Sequence, residues 1–257
     1  METNNLGLPF EYQQLPEFFD AKNIQPDTAA KNSRIETLLK KYNIKSVLDL
    51  TCGTGSQVFY LAEHGYQVTG ADFSPELLRI ARKKATAQNV IVQFIDGDMR
   101  TLQVGQFDAI ITIFNAVGHV TRDGFEQTLQ NIHRNLNPGG IYIFDILNLQ
   151  AMADANVAQL ACYTHKKVDD TQILATQCST IDRTEGVLTS YNNVMIQRNA
   201  QKPEQFQQEF SLQIYTAQEL QTMLKQKGFE TLEQTTFDGT PFSPDNSVTI
   251  LTVARKK

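Results

Sequence analysis

Val47-Leu48-Asp49-Leu50-Thr51-Cys52-Gly53-Thr54-Gly55 is an apolar run that ends in an acid, then in a turn with two glycines two residues apart. From Ser56 a helical period follows, with Val58, Leu61 and Ala62 on one face. Strand, glycine-rich turn and helix are how an α/β sheet opens a nucleotide pocket at a strand's carboxyl end. Glycine in that turn permits positive φ and close approach of a ligand to the backbone. A second run, Gln67-Val68-Thr69-Gly70-Ala71, ends at Asp72, 23 residues after Asp49. An acid at about that distance can accept hydrogen bonds from ribose hydroxyls.

The dinucleotide fingerprint needs a third small residue, where Gly53-Thr54-Gly55-Ser56-Gln57-Val58 has valine. No lysine follows the turn, which excludes a P-loop. The ligand read from these residues is an adenosine compound without phosphates, and that points to S-adenosylmethionine (AdoMet).

With Asp72-Phe73-Ser74, Asp98-Met99, Phe107-Asp108-Ala109 and Leu136-Asn137-Pro138-Gly139-Gly140 in the same order, the chain resembles a class I AdoMet-dependent methyltransferase over residues 28 to 148. The resemblance implies an α/β, Rossmann-like sheet, mostly parallel with its last strand antiparallel. It implies a cofactor site of Asp49, Thr51, Gly53, Gly55, Asp72, Phe73, Asp98, Met99 and Phe114. Asp98 would accept from the adenine amino group while Met99 and Phe73 cover the ring; the alternative is that Asp98 caps the turn Met99–Thr101.

The segment Phe114-Asn115-Ala116-Val117-Gly118-His119 lacks the Asn/Asp-Pro-Pro-aromatic run of methyltransferases acting on exocyclic amines of bases. It is similar instead to the glycine and amino-sugar N-methyltransferases. That likeness implies a small-molecule amine as acceptor, with His119, Tyr12 and Asn115 as the catalytic set. An imidazole of ordinary pKa about 6.5 suits proton transfer near neutrality. Two positions depart from the glycine enzyme: Leu147 replaces its substrate-reading arginine, and Asp27 replaces its arginine for the AdoMet carboxylate. Lys31 or Arg34 is left for the latter task. O-methylation of a small hydroxyl or carboxyl compound is the alternative chemistry, and a non-catalytic AdoMet-binding partner protein the alternative of another class.

Bulk composition bounds the rest. A chain of 257 residues, 41% hydrophobic and 20% charged, suits one α/β domain. Its net charge of −5 disfavours nucleic acid as partner. Cys52, Cys162 and Cys178 are odd in number and share no metal spacing, so reduced thiols, no metal and a cytoplasmic location are expected. Met1 to Phe10 has no basic start or apolar stretch of an export signal, and no run approaches the roughly 18 apolar residues that span a bilayer. Oligomeric state has no sequence signal.

In chain order, residues 1–27 read as an arm rich in aromatics (Phe10, Tyr12, Phe18, Phe19), either packed on the domain or closing over the cofactor. A helix is expected over 28–42, and another after Ser74-Pro75 whose Arg79, Arg82, Lys83 and Lys84 make a solvated face. Strands three, four and five are expected at Val90–Ile95, Ala109–Phe114 and Ile141–Leu147. Between strands four and five a helix capped by Thr121 carries Phe125, Leu129, Ile132 and Leu136 on one face. Residues 150–214 read as an antiparallel insertion that shapes the acceptor site, with strands at 160–167, 172–181, 187–197 and 204–214. Thr216-x-x-Glu219 is a capping box, Gly228 fits the helix end, and two strands near 229–237 and 247–255 close the sheet.

Overall fold

A computed structural model describes residues 6–12 and 15–257 of the chain. The first five residues of the expected arm, and Gln13 and Gln14, lie outside the described residues. After two short 3-10 turns come α1 (Phe19–Asn23), α2 (Thr28–Lys41), β1 (Ser46–Asp49), α3 (Ser56–Glu63), β2 (Gln67–Asp72), α4 (Pro75–Gln88), β3 (Gln93–Asp96) and β4 (Phe107–Thr112). Then follow α5 (Arg122–Asn135), β5 (Leu136–Leu147), α6 (Asp154–Gln159), β6 (Cys162–Val168), β7 (Thr171–Asp182), β8 (Val187–Arg198) and β9 (Glu204–Gln213). The chain ends with α7 (Ala217–Gln226), β10 (Phe229–Thr235) and β11 (Thr249–Lys256).

Seven strands form one sheet in the order β3-β2-β1-β4-β5-β11-β10. β11 is antiparallel to both of its neighbours, and the pairings among β1 to β5 are parallel. Short apolar strands such as Val47-Leu48 and Ile110-Ile111 are buried on both faces, because helices cover the sheet on each side. One face packs Leu48, Ile110, Tyr142 and Phe144 against Phe125, Leu129 and Ile132 of α5 and Leu220 and Leu224 of α7. The other packs Val47, Ile111 and Ile143 against Ile35, Leu38 and Leu39 of α2, Val58 and Leu61 of α3 and Leu78 of α4.

Caps follow the expected chemistry: Ser74 accepts from Leu77, Thr121 from Gly124, and Thr216 with Glu219 closes a complete capping box. Three strand limits differ. β3 starts three residues late, because Asn89 turns left-handed (φ 53°) to end α4 and Val90 N–H bonds back to Ala85. β4 stops at Thr112 because Phe114 and Asn115 both leave the extended region. β5 begins at Leu136, ahead of Pro138, and meets Phe107 through a register shift.

The second sheet, β6-β7-β8-β9, is antiparallel throughout. The chain enters and leaves this layer side by side, since Asn148 bridges Tyr215. Its inner face carries Ile173, Ala175, Val194 and Ile196, which bury Phe10, Leu15 and Phe18 of the arm. No helix among the described residues is long and apolar enough to cross a membrane.

Candidate active site

The strand order reverses between β1 and β4, where α/β sheets open a ligand crevice at the carboxyl ends. A cavity of about 780 Å³ lies there. It is lined from five consecutive strands: Thr51 to Thr54 after β1, Asp72 and Phe73 at β2, Asp98 to Arg100 after β3, Phe114 to Ala116 and His119 after β4, and Asp145 on β5. Two expected residues lie behind this wall. Asp49 is beneath the turn, its Oδ1 accepting from Thr51 N–H at 3.3 Å. Gly55 (φ 90°) starts α3, and a Cβ there would strike the Phe59 ring.

Asp72 is buried, yet each oxygen has a backbone partner: Gly53 N–H at 2.8 Å and Ser74 N–H at 2.9 Å. Burial still pushes its pKa up to about 6, against those bonds. Burial raises Asp49 to about 8, with the charge of Asp72 adding, and Asp145 to about 7. The cations that line the cavity are already paired: Lys22 with Glu11 at 2.9 Å, Lys31 with Asp27 at 2.9 Å, Arg100 with Asp98 at 2.5 Å. Asp72 and Asp145 have no ion-pair partner among the described residues. Such a site favours a cation over a phosphate. The Thr51 hydroxyl on the cavity wall is buried without a partner among the described residues, which also suits a polar ligand. The residues therefore fit AdoMet, a sulfonium with ribose hydroxyls.

Asp98 lines the cavity, and both of its oxygens also bind Arg100, through the backbone N–H and the guanidinium. It holds its own turn from the cavity wall, a place that fits either expectation for that residue, while Asn131 fixes the Met99 carbonyl at 3.0 Å. Of the two cations left for the cofactor carboxylate, Lys31 lines the cavity, its ammonium 5.4 Å from the Phe114 ring centre. Arg34 lies outside and reaches Thr235.

Leu8, Tyr12, Phe19 and residues 22–25 of the arm, with Thr28 and Lys31 of α2, supply much of the remaining wall. Tyr12 stands between Phe73 (ring centres 6.3 Å apart) and His119 (5.5 Å), and its carbonyl accepts from Ser74 Oγ. Phe19 covers Gly53, where a Cβ would come within 3.1 Å of the ring. Asp20 accepts from Thr54 Oγ1 and pairs with Lys84. The α4 face expected to be solvated is therefore partly engaged: Lys84 ties down the arm, and Arg82 bonds Asp96 and the Phe94 carbonyl. The antiparallel layer, expected to shape the acceptor site, contributes none of the cavity's lining residues. It acts one step removed, by holding the arm and by bringing Phe210 to 6.4 Å from His119.

After β4 the backbone takes two left-handed residues in succession, Phe114 (φ 64°) and Asn115 (φ 58°), then a 3-10 turn over Ala116–His119. His119 lines the cavity with Nδ1 unpartnered, and burial pulls its pKa down to about 4. The expected titration near 6.5 is thus displaced, because no acid compensates for lost hydration. Burial raises the Tyr12 phenol, with the charges of Glu11 and Asp72 adding, so it remains a hydrogen-bond donor. Asp145 escaped sequence reasoning as a site residue, although one acid in the apolar run Ile141–Leu147 was a visible signal.

Residues 47–140 match the family model described as a methyltransferase domain. Over 100 residues the chain is 40% identical to the demethylmenaquinone methyltransferase of Thermus thermophilus, covering 37% of this chain and 44% of that one. Over 184 residues it is 26% identical to glycine N-methyltransferase of Oryctolagus cuniculus, covering 63% and 62%. It thus spans between about two fifths and two thirds of the length of these relatives. The sugar N-methyltransferase KedS8 from Streptoalloteichus shares the fold at TM-score 0.77 and 19% identity, over 95% of this chain and 94% of that one. Residues 47–140 are thus a methyltransferase domain, set in a chain that has the fold of S-adenosylmethionine-dependent methyltransferases.

Proposed function

We propose that the chain transfers the AdoMet methyl group to the nitrogen of a small-molecule amine. The observation that carries this reading is the cluster of Tyr12, Asn115 and a neutral His119 on the wall of the cavity. AdoMet, when bound, supplies an electrophilic methyl on a sulfonium; the protein's work is alignment. Orientation of two reactants can supply roughly 7–11 kcal/mol of a barrier. Asp72 takes the ribose, Met99 and Phe73 the adenine, and Lys31 the carboxylate. Tyr12 and Asn115 orient the acceptor. A histidine of pKa about 4 is a poor proton store at neutral pH, so His119 accepts a hydrogen bond from an N–H of an amine that enters neutral. Its lone pair is thereby turned toward the methyl group.

The likeness to glycine N-methyltransferase runs across 184 residues, well past the core, and supports nitrogen as the nucleophile. The core alone does not discriminate, since it is 40% identical to an enzyme named for demethylmenaquinone. Leu147 in place of a carboxylate-reading arginine favours an amine without a neighbouring carboxylate.

Turnover of labelled AdoMet against a panel of amines, alcohols and carboxylates tests the proposal. Transfer only to oxygen would replace it with O-methylation, and AdoMet binding without any transfer would make the chain a binding protein. His119→Ala should lower kcat about 10–100-fold, the worth of one or two positioned hydrogen bonds, with AdoMet affinity little changed.

A further inference from the structure

The turn after β4 carries Asn115 and His119, yet its own hydrogen bonding does not explain its shape. Within it the Gly118 N–H reaches the Asn115 carbonyl at 2.9 Å, which closes only the 3-10 turn. Phe114 and Asn115 both have positive φ, a region that residues with a Cβ occupy only where the surroundings impose it. Their two N–H groups point at one carboxylate. Phe114 N–H donates to Asp145 Oδ1 at 2.5 Å and Asn115 N–H to Oδ2 at 3.3 Å.

Asp145 is 2% exposed, in a strand that is otherwise apolar from Ile141 to Leu147. Leu or Val would fit such a strand better, because a buried acid without a counter-ion costs folding free energy. β11 presents Leu251 opposite it. The titratable group that acts on it is Lys31 of α2, whose charge favours the carboxylate; Tyr142 of its own strand feels the Asp145 charge, which helps raise the phenol. No ion pair joins it to Lys31, so its bonds to the turn are the main interactions that hold the ionised form.

We propose that Asp145 is a positioning residue: by accepting from the N–H groups of Phe114 and Asn115, it locks the left-handed turn that presents Asn115 and His119 to the cavity. Gly118 of the same turn lies against Ile146 and against the Gln213 carbonyl of β9, with no room for a Cβ. The turn is held between a charged hydrogen-bond acceptor and a close backbone contact. Ionised, Asp145 accepts at both oxygens; protonated, it gives up part of that grip as pH falls through about 7.

The catalytic half of this proposal rests on the methyl-transfer reading, and the structural half does not, so two readouts on the full chain separate them. In nitrogen-15 spectra of the parent between pH 5 and 9, the Phe114 and Asn115 amides should shift together with one midpoint near 7. Asp145→Asn should abolish that shared step and speed amide exchange across 114–119 by at least about tenfold, without change in the antiparallel layer. In the turnover assay, the pH step that Asp145 gives kcat, displaced below 7 by the bound sulfonium, should vanish in the same variant. If the parent methylates nothing, the transfer reading fails and the spectral result still stands. Independent titration of the two amides overturns the proposal, and the parent alone can show it even if the variant does not fold. Unchanged exchange at 114–119 in a folded Asp145→Asn overturns it equally.

Discussion

The parallel sheet and the antiparallel layer solve burial in opposite ways. In the parallel sheet, strands of four to six residues such as β1, β2 and β4 are covered by helices on both faces, so their central residues, such as Val47, Leu48, Ile110 and Ile111, are apolar and buried. The acids it buries, Asp49, Asp72 and Asp145, all lie in or at the ends of strands beside the cavity. The layer has strands of ten to twelve residues in β7, β8 and β9, with alternating burial and one inner face. Its buried polar groups Ser190, Asn192 and Gln213 are neutral. A doubly covered sheet can hold charge where a ligand will use it; a singly covered one serves as a clamp for whatever lies on its inner face. Here that is the arm, which in turn walls the cavity.

The largest expected effect breaks the clamp. Phe18 is fully buried, stacked on Phe10 with ring centres 5.9 Å apart and packed in the cluster of the layer's inner face. Phe18→Ala should cost about 3–5 kcal/mol, by lost transfer energy and the cavity left behind. AdoMet affinity should fall with it, because Tyr12, Phe19 and Asp20 keep their places through the same docking. Tyr191→Ala, on the outer face of the same layer and 41% exposed, should change stability by no more than about 0.5 kcal/mol. Thermal melts and calorimetry on both variants test the contrast. Full AdoMet affinity in a destabilised Phe18→Ala would separate the arm from the cofactor wall.

How far the sequence foretold these two regions follows from the same physics. Gly53, Gly55 and Asp72 were legible because strand-end turns depend on local residue chemistry and fixed spacing. The four strands of the layer were legible from period-two patterning in residues such as Phe206 and Phe210. What was not legible is contact across sequence. The docking of Phe19 on Gly53, and of Asp20 on Thr54 and Lys84, joins segments more than thirty positions apart, and no local pattern marks it. The shift of His119 to a pKa of about 4 is likewise a product of enclosure by distant residues. Asp145 reaches across from β5 to the turn after β4, and only its oddity among apolar neighbours hinted at that role.

A smaller effect sharpens the comparison at the level of a single polar group. Asp72→Ala should weaken AdoMet by about 1.5–3 kcal/mol, or roughly 10–150-fold, by loss of a charged acceptor for the ribose. Asn192→Ala removes an equally buried polar side chain from the layer and should leave AdoMet affinity unchanged. Isothermal titration on the two variants reads the difference. Equal losses would mean that Asp72 acts through general stability, by way of its bonds to Gly53 and Ser74, and not through the ligand.

The smallest effect is proton linkage, and its sign can be worked out. Asp49, Asp72 and Asp145 have folded pKa values of about 8, 6 and 7, above the ordinary carboxylate value near 3.9. The folded chain therefore binds more protons than the unfolded chain between those limits. The stability this confers is fully present below about pH 4 and is lost as pH rises through 6 to 8. Without ligand, the melting temperature should fall across that window. A sulfonium placed beside these groups favours their ionised forms, so AdoMet binding should release protons and tighten as pH rises. The limit is about tenfold per pH unit for each proton released, or about 1.4 kcal/mol. S-adenosylhomocysteine keeps every other group but has a neutral sulfur, so its affinity should rise less steeply. Titrations in buffers of different ionisation enthalpy count the protons directly. Equal slopes for the two ligands would mean that the buried acids do not respond to the sulfonium charge, and the electrostatic contrast between the two sheets would then have no part in choosing the ligand.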